Sequence, residues 1–403
     1  MASNSAGASS QLRPAGEILP AANPGPRRRG RYLARAGRAA MFPSTEALHQ
    51  GKAGTDVRQL RVAVVGATGA VGRELLTLLS RLDLPDPFIL PVATARSAGS
   101  ALGAELGLSM PIEPVRALQD VDFGELDVAF LCAGAEVSIQ TAQKSGGCLV
   151  IDNSSAFRTR DDVPLVVPRV NREQLRTRPA SNIIANPNCS TIQLVRALHP
   201  LHQLAGLRRV IMATYQAASG GGQRGLAELA ATSQHVLGGG EPPPPGKFGP
   251  PLAFNLIPQI GALDETGMSH EEFKLRAETT KILGLAGVPV SATAVRVPIF
   301  HCHAEAVWAQ FGRPISAAEA EDALMSTCGV LLYRSGDNPP FPTPRLVEKS
   351  GHGRAWVHVG RVRADPDDPC ALLLWVTAEN LWVGAALNAV DILQTVLDYG
   401  WLG

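Results

Sequence analysis

Leu60-Arg61-Val62-Ala63-Val64-Val65 runs into Gly66-Ala67-Thr68-Gly69-Ala70-Val71-Gly72, and the reading of this stretch decides the fold. Arg61 apart, the first six residues are continuously apolar, as in a strand buried on both faces of a parallel sheet. The glycines stand as GxxGxxG, a variant of the dinucleotide fingerprint. Their roles there are a tight turn, close backbone approach to a pyrophosphate, and close packing of helix on strand. Leu75, Leu76, Leu78 and Leu79 give the following segment the apolar face of a helix. Strand before and helix after is the context that gives a glycine motif its meaning.

The next strand, Phe88 to Ala93, ends in Thr94-Ala95-Arg96-Ser97-Ala98-Gly99, with no carboxylate. An NAD-binding chain offers Asp or Glu there to the ribose 2′-hydroxyl. A guanidinium and a hydroxyl, Arg96 and Ser97, suit a 2′-phosphate, so NADP is the expected cofactor. Asp127 to Cys132 and Cys148 to Ile151 add buried strands, and Ala133-Gly134-Ala135 leaves room for a nicotinamide or its ribose. Strands alternating with helices from 60 to 151 predict an α/β, Rossmann-type doubly wound parallel sheet.

Residues 1–58 read as a disordered or targeting extension. Up to Met41 they are rich in Ala, Gly, Ser, Pro and Arg and hold one acidic residue, Glu17. That composition fits a plastid-type transit peptide, which would direct the chain to the stroma. It equally fits translated upstream sequence of a GC-rich genome with Met41 as the start, and the 31 Arg against 6 Lys favour this bacterial, cytoplasmic reading. A net charge of +1 gives no electrostatic footprint for nucleic acid. No apolar run approaches the roughly 20 residues of a membrane span. Six cysteines without CxxC or paired spacing suit a reducing compartment.

Asn186-Pro187-Asn188-Cys189-Ser190-Thr191 follows the short apolar run Ile183-Ile184-Ala185 and precedes Ile192, Val195, Leu198 and Leu201 at helical spacing, until Pro200 and the Leu207 segment intervene. A thiol at such a strand-to-helix junction meets unpaired N–H groups and the positive helix end, both of which favour thiolate. A small buried thiol packed like alanine is the alternative, so Cys189, taken by itself, is a candidate nucleophile and no more. Val210 to Gln216 reads as a strand leading to a flexible loop, Ala217 to Gly222, and residues 238–251 as a breaker-rich connection. Ser269 with Glu272 forms a capping box, and Glu271 and Lys274 share a face of the helix it starts. Val288 to Val297 and Ile299 to Phe311 read as strands. The second carries His301 and His303 on one face, but no third ligand has matching spacing and no metal is expected. Val357 to Val362 and Leu372 to Thr377 add strands, and Gly384 to Leu397 an amphipathic helix.

Over essentially all of residues 60–400 these pieces resemble aspartate-β-semialdehyde dehydrogenases. The matching stretches are Gly66–Gly72, Arg96–Gly99, Asp152–Arg158, Asn186–Thr191, Tyr215–Gly220, Glu271–Lys274, Arg296-Val297-Pro298 with His303, and Gly384–Asn388. The resemblance implies NADPH-dependent reductive dephosphorylation of L-aspartyl-4-phosphate to L-aspartate-4-semialdehyde and phosphate through a cysteine thioester. That step leads to lysine (through diaminopimelate), threonine, methionine and isoleucine. It implies Cys189 as nucleophile and His303 as acid/base. Gln216 orients the substrate, Arg296 clamps its α-carboxylate and Glu271 binds its α-ammonium. Arg158 and Lys274 hold phosphate. Thr68, Gly69, Ala70, Val71, Arg96, Ser97, Ser219, Gly220 and Asn380 contact NADP. It further implies an NADP-binding domain over 59–187, completed by a C-terminal helix at 384–399, and an α+β catalytic and dimerisation domain over 188–383, in a homodimer or homotetramer. The chain departs from the family at Trp382-Val383, often Arg-Lys, at Arg169, commonly Glu, and at Cys302, usually Gly or Ala. Two other readings are N-acetyl-γ-glutamyl-phosphate reductase, whose substrate has no free ammonium for Glu271, and an inactive paralogue serving as a binding subunit, against which both Cys189 and His303 speak.

Overall fold

The computed structural model describes residues 59–402 except 85, 109, 242, 243 and 245. The extension 1–58, with its targeting and start-site readings, lies outside the described residues. The first half runs β1 (Leu60–Val65), α1 (Ala70–Leu79), β2 (Pro87–Ala93), α2 (Leu102–Leu106), β3 (Arg116–Ala117), β4 (Val128–Leu131), α3 (Ala135–Ala142), β5 (Leu149–Asp152), α4 (Pro168–Asn171) and β6 (Ile183–Ala185). Its strands pair in parallel in the order β3-β2-β1-β4-β5-β6. The order reverses between β1 and β4, and the loop after β1 opens at that switch point, where doubly wound sheets bind ligands. Gly66 (φ +85°) has no alternative there, since a Cβ would lie 2.8 Å from the carbonyl carbon of Cys132. A Cβ on Gly72 would lie 2.3 Å from the Gly66 carbonyl oxygen, so α1 presses directly on the loop.

The second half runs α5 (Cys189–Ala205), β7 (Leu207–Gln216), α6 (Gly222–Leu237), α7 (His270–Leu283), β8 (Val290–Arg296), β9 (His303–Phe311), α8 (Ala317–Met325), β10 (Val330–Tyr333), α9 (Pro344–Glu348), β11 (Val357–Ala364), β12 (Ala371–Ala378) and α10 (Leu387–Asp398). Its strands form a mixed sheet in the order β10-β11-β12-β9-β7-β8, antiparallel at the centre and parallel at both edges. Helix α5 packs on β9, β11 and β12 while α7 packs on β8, and α10 returns to α1 and β5 of the first sheet. Among the described residues no helix is long and apolar enough to cross a membrane.

Four local expectations change. Helix α5 continues through Pro200 to Ala205, because 12 of its 17 residues are buried and that packing outweighs one lost hydrogen bond. Ala217–Gly222 is no open loop: Ala218–Gly221 forms a 3₁₀ turn, and the N–H groups of Ala218 and Ser219 donate to the carbonyls of Ile299 and Phe300. Strand β9 begins only at His303, after Cys302 in the left-handed region (φ +70°). His301 and His303 therefore do not share a strand face, and the metal pair that alternation suggested is not formed. The last helix begins as a π turn, Trp382–Ala386, before α10.

Candidate active site

Cys189 is the first residue of α5 and Asn188 caps it, accepting from the N–H groups of Ser190 (3.0 Å) and Thr191 (3.3 Å) through Oδ1. The cap is held from below. Glu278 Oε2 accepts from the Asn188 N–H (2.6 Å), and Asn188 Nδ2 donates to Glu271 Oε1 (2.8 Å). Glu271 also accepts from Gln216 Nε2 (2.9 Å) and Lys274 Nζ (3.1 Å), and Gln216 Nε2 donates to Ser190 Oγ (2.5 Å). Burial alone would raise the Glu271 carboxyl. Lys274, Gln216 and Asn188 together overcome it and hold the group ionised, at about 2.

From β7 onward the chain builds the opposite wall. The Ala217 N–H donates to His303 Nδ1 (3.0 Å), and the Ala217 carbonyl accepts from Arg296 Nη1 (2.7 Å). A Cβ on Gly220 would lie 2.8 Å from Arg296 Nη1 and 3.4 Å from His303 Nε2, so the bare backbone there admits both side chains. Arg296 Nε and His303 Nε2 are buried and have no partner among the described residues. Gly384 approaches Cys189 closely, since a Cβ there would lie 2.6 Å from the Cys189 Cβ. Asn380 Oδ1 accepts from Ser219 Oγ (3.0 Å) and the Cys302 N–H (3.1 Å), tying β12 to this wall.

One electrostatic expectation, the thiolate at the helix start, is overturned. Burial, then the Glu271 carboxylate, push the Cys189 thiol up to about 12, against the pull of Arg296, Arg158 and Lys274. The free chain thus holds a neutral thiol in spite of the helix N-terminus. Burial, then the Arg296 charge, bring His303 down to about 3, with Glu271 opposing. The ring is neutral at physiological pH. With Nδ1 accepting from a backbone N–H, its proton is on Nε2.

The carried-over residues fall into three groups. Cys189, Gln216, Glu271, Lys274, Arg296 and His303 meet as described. Arg158 is buried beside them, donating to Glu278 Oε1 (3.0 Å) and to the Asn153 carbonyl (2.9 Å). Thr68 to Val71 form the turn into α1, whose N-cap Gly69 provides no side-chain acceptor, leaving first-turn N–H groups open to an anion. Ala70 borders a small cleft with Gln223, His301 and Leu381. Arg96 and Ser97 lie apart, on a 3₁₀ turn after β2, with Arg96 exposed and without a partner among the described residues. Open donors at α1 and a free guanidinium where a carboxylate would repel phosphate fit NADP.

Sequence reasoning missed Glu278, although Glu271, Lys274 and Glu278 are three and four apart and share one helix face. It also missed Phe248, whose ring carries the Arg296 guanidinium at 5.3 Å and which no periodicity marks. The departures acquire physical roles. Trp382 is buried, donates its indole N–H to Glu74, and stacks under the Arg354 guanidinium at 4.4 Å, which brings a cation where residue 382 has none. Arg169 donates to Asp391 (3.2 Å) and to the Cys328 sulfur (3.0 Å). Cys302 bears the strain of a left-handed conformation that glycine adopts freely.

Two family descriptions match the chain: "Semialdehyde dehydrogenase, NAD binding domain" over residues 61–178, and "Semialdehyde dehydrogenase, dimerisation domain" over 198–383. The aspartate-semialdehyde dehydrogenase of Campylobacter jejuni is 41% identical over 346 residues, 85% of this chain and 98% of the relative. That of Legionella pneumophila is 40% identical over 342 residues, 84% and 95% respectively. The crystal structure of aspartate semialdehyde dehydrogenase II from Vibrio cholerae, complexed with ASA, superposes with a TM-score of 0.78 at 38% identity, covering 85% of this chain and 99% of that one. The Candida albicans enzyme solved with NADP gives 0.64 at 25% identity, covering 85% and 99%. On two domain matches and on identity of this extent, the chain belongs to the aspartate-semialdehyde dehydrogenase family.

Proposed function

We propose that this chain is an NADP-dependent aspartate-semialdehyde dehydrogenase, reducing L-aspartyl-4-phosphate to L-aspartate-4-semialdehyde with release of phosphate. The reaction serves lysine, threonine, methionine and isoleucine synthesis. The observation that carries the reading is the meeting of Cys189, at a capped helix start, with an ionised Glu271 on one wall and Arg296 with His303 on the other. Arg296 uses Nη1 on the Ala217 carbonyl, which leaves the Nε/Nη2 edge to grip an α-carboxylate with two parallel bonds. Glu271 offers its charge to the α-ammonium. An N-acylated substrate has no such cation, which favours aspartyl over N-acetylglutamyl phosphate. Lys274 and Arg158, held by Glu271 and Glu278 in the free chain, bind the phosphate of the incoming substrate.

Cys189 Sγ attacks the acyl carbon, the carbon–oxygen bond to phosphate breaks, the thiol proton leaves with the departing phosphate, and a thioester remains. Neutral His303 directs its Nε2–H to the carbonyl oxygen as that atom gains negative charge, the acid half of its acid/base role. NADPH supplies the reducing equivalents that turn the thioester into the aldehyde. The turn Thr68–Val71 holds its pyrophosphate, Arg96 and Ser97 its 2′-phosphate, and Ser219, Gly220 and Asn380 its nicotinamide end. Domains of 59–187 with 384–399, and of 188–383, divide cofactor from chemistry. The bacterial relatives support a cytoplasmic enzyme, and the dimerisation-domain match supports a homodimer. The test is phosphate-dependent reduction of NADP⁺ by aspartate semialdehyde. Cys189→Ala should abolish it while NADP⁺ still binds, and a trapped thioester on another residue would overturn the mechanism.

A further inference from the structure

We infer that Phe248 is a positioning residue for the substrate's α-carboxylate, because its ring fixes the plane of the Arg296 guanidinium. The inference rests on the reading of Arg296 as the carboxylate clamp. Arg296 Cζ lies 5.3 Å from the centre of the Phe248 ring, within cation–π range. Nη1 is anchored on the Ala217 carbonyl, and Gly220 closes on the same nitrogen. These restraints act on one end and one face of the group and leave Nε, buried and unpartnered, on the edge that remains.

The connection that presents Phe248 is built for the purpose. Gly246 and Gly249 exchange two backbone hydrogen bonds, at 2.9 and 3.2 Å, and the Lys247 N–H donates to Glu228 Oε2 on α6 at 2.6 Å. The ring then lies on bare backbone: a Cβ would come within 2.8 Å of it at Gly221 and 2.7 Å at Gly225. Its outer side packs on the small apolar cluster of Leu229, Leu252 and Ile257. A carboxylate in the same place would orient Arg296 equally well but would neutralise it and compete with the substrate. An aromatic face attracts the cation without occupying its donors. That is the physical reason for a phenylalanine here.

The experiment measures KM and kcat for aspartate semialdehyde, and KM for NADP⁺, in wild type and Phe248→Leu, with Tm confirming the fold. In parallel, protection of Cys189 from iodoacetamide by L-2-aminobutyrate, which carries the α-carboxylate and α-ammonium without an electrophile, gives an affinity independent of turnover. Phe248→Leu should raise the semialdehyde KM and weaken the protection, each by about 3- to 30-fold, the span of one cation–π contact. kcat and the NADP⁺ KM should stay within about twofold. A folded Leu variant with unchanged KM and protection would overturn the inference. So would a loss spread evenly over kcat and both KM values. If the wild type does not turn over the semialdehyde but protection by L-2-aminobutyrate weakens in Phe248→Leu, the inference stands and the proposed substrate falls.

Discussion

Glu271 touches three functions at once. It accepts from the helix cap Asn188 and from Gln216, it holds Lys274, and its charge is the second cause, after burial, of the raised Cys189 thiol. On the proposed reading, an ammonium placed against Glu271 would remove that cause and couple substrate binding to thiol ionisation through one carboxylate. Glu271→Gln should mimic the neutralisation. The rate of Cys189 alkylation by iodoacetamide, followed by peptide mass spectrometry from pH 6 to 10, should shift to lower pH, with labelling at pH 7 severalfold faster than in wild type. Turnover should fall at the same time, since the ammonium has lost its partner. A rate profile unmoved or shifted to higher pH would show that Glu271 does not restrain the thiol. The neutral His303 belongs to the same balance, lowered by burial and Arg296 while its Nδ1 is committed to Ala217.

At the level of elements, α5 and β9 meet across a polar seam. Gln193 is one turn beyond Cys189, and Glu305 is two residues beyond His303 on the same strand face. Both are fully buried, and neither side chain has a well-formed hydrogen bond among the described residues. Burial holds the Glu305 carboxyl well above its ordinary range, with the Gln193 amide working against it. A carboxyl raised in the folded state stabilises most below the unfolded value of about 4.3 and loses that contribution as pH rises. Glu305→Gln should therefore flatten the fall of Tm between pH 5 and pH 8, raising Tm at pH 8 by about 2 °C relative to wild type while leaving pH 5 nearly unchanged. An equal loss at both pH values would mean that the carboxyl is ionised and paired. Elements of this kind were legible in unequal degree. Ser269 and Glu272 announce α7 by their spacing, and the same Ser-x-x-Glu at Ser316 and Glu319 starts α8, so that helix too is legible in the sequence. Glu305 was not readable, because alternation along β9 marks a buried position without saying that a carboxyl fills it. Nor could spacing reveal that His303 starts a strand, since the break at Cys302 is a backbone angle that a non-glycine residue rarely adopts.

At the level of the whole molecule, the mixed sheet has two faces of different character. One carries Gln216, Arg296, His303 and Glu305 toward α5 and α7. The other displays Ile211, Tyr215, Trp308, Leu373 and Trp375, with Ile211 42% and Phe341 40% exposed, beside a groove reaching Pro342 and Arg361. The two indoles are satisfied within the chain, by Asp365 and by the Pro342 carbonyl, so what they present outward is apolar ring. An uncovered apolar face of this kind is where an interaction surface is expected, and the match to a dimerisation domain over 198–383 supports a second copy as the partner to test there. Light scattering after size exclusion should give twice the 42.4 kDa of one chain. Ile211→Asp combined with Thr293→Asp places like charges at exposed positions of β7 and β8, which meet a second copy only if this sheet is the interface. The double variant should run as a folded monomer at micromolar concentration. A wild-type monomer, or a double variant that remains dimeric with unchanged elution, would assign the contact to another surface. Strand alternation couples the two faces: each of β7 and β8 places one residue on the exposed face and the next, Gln216 or Arg296, in the candidate site. Loss of the partner should therefore loosen substrate contacts before it touches the cofactor loop, and the semialdehyde KM of the monomer should rise while its NADP⁺ affinity holds.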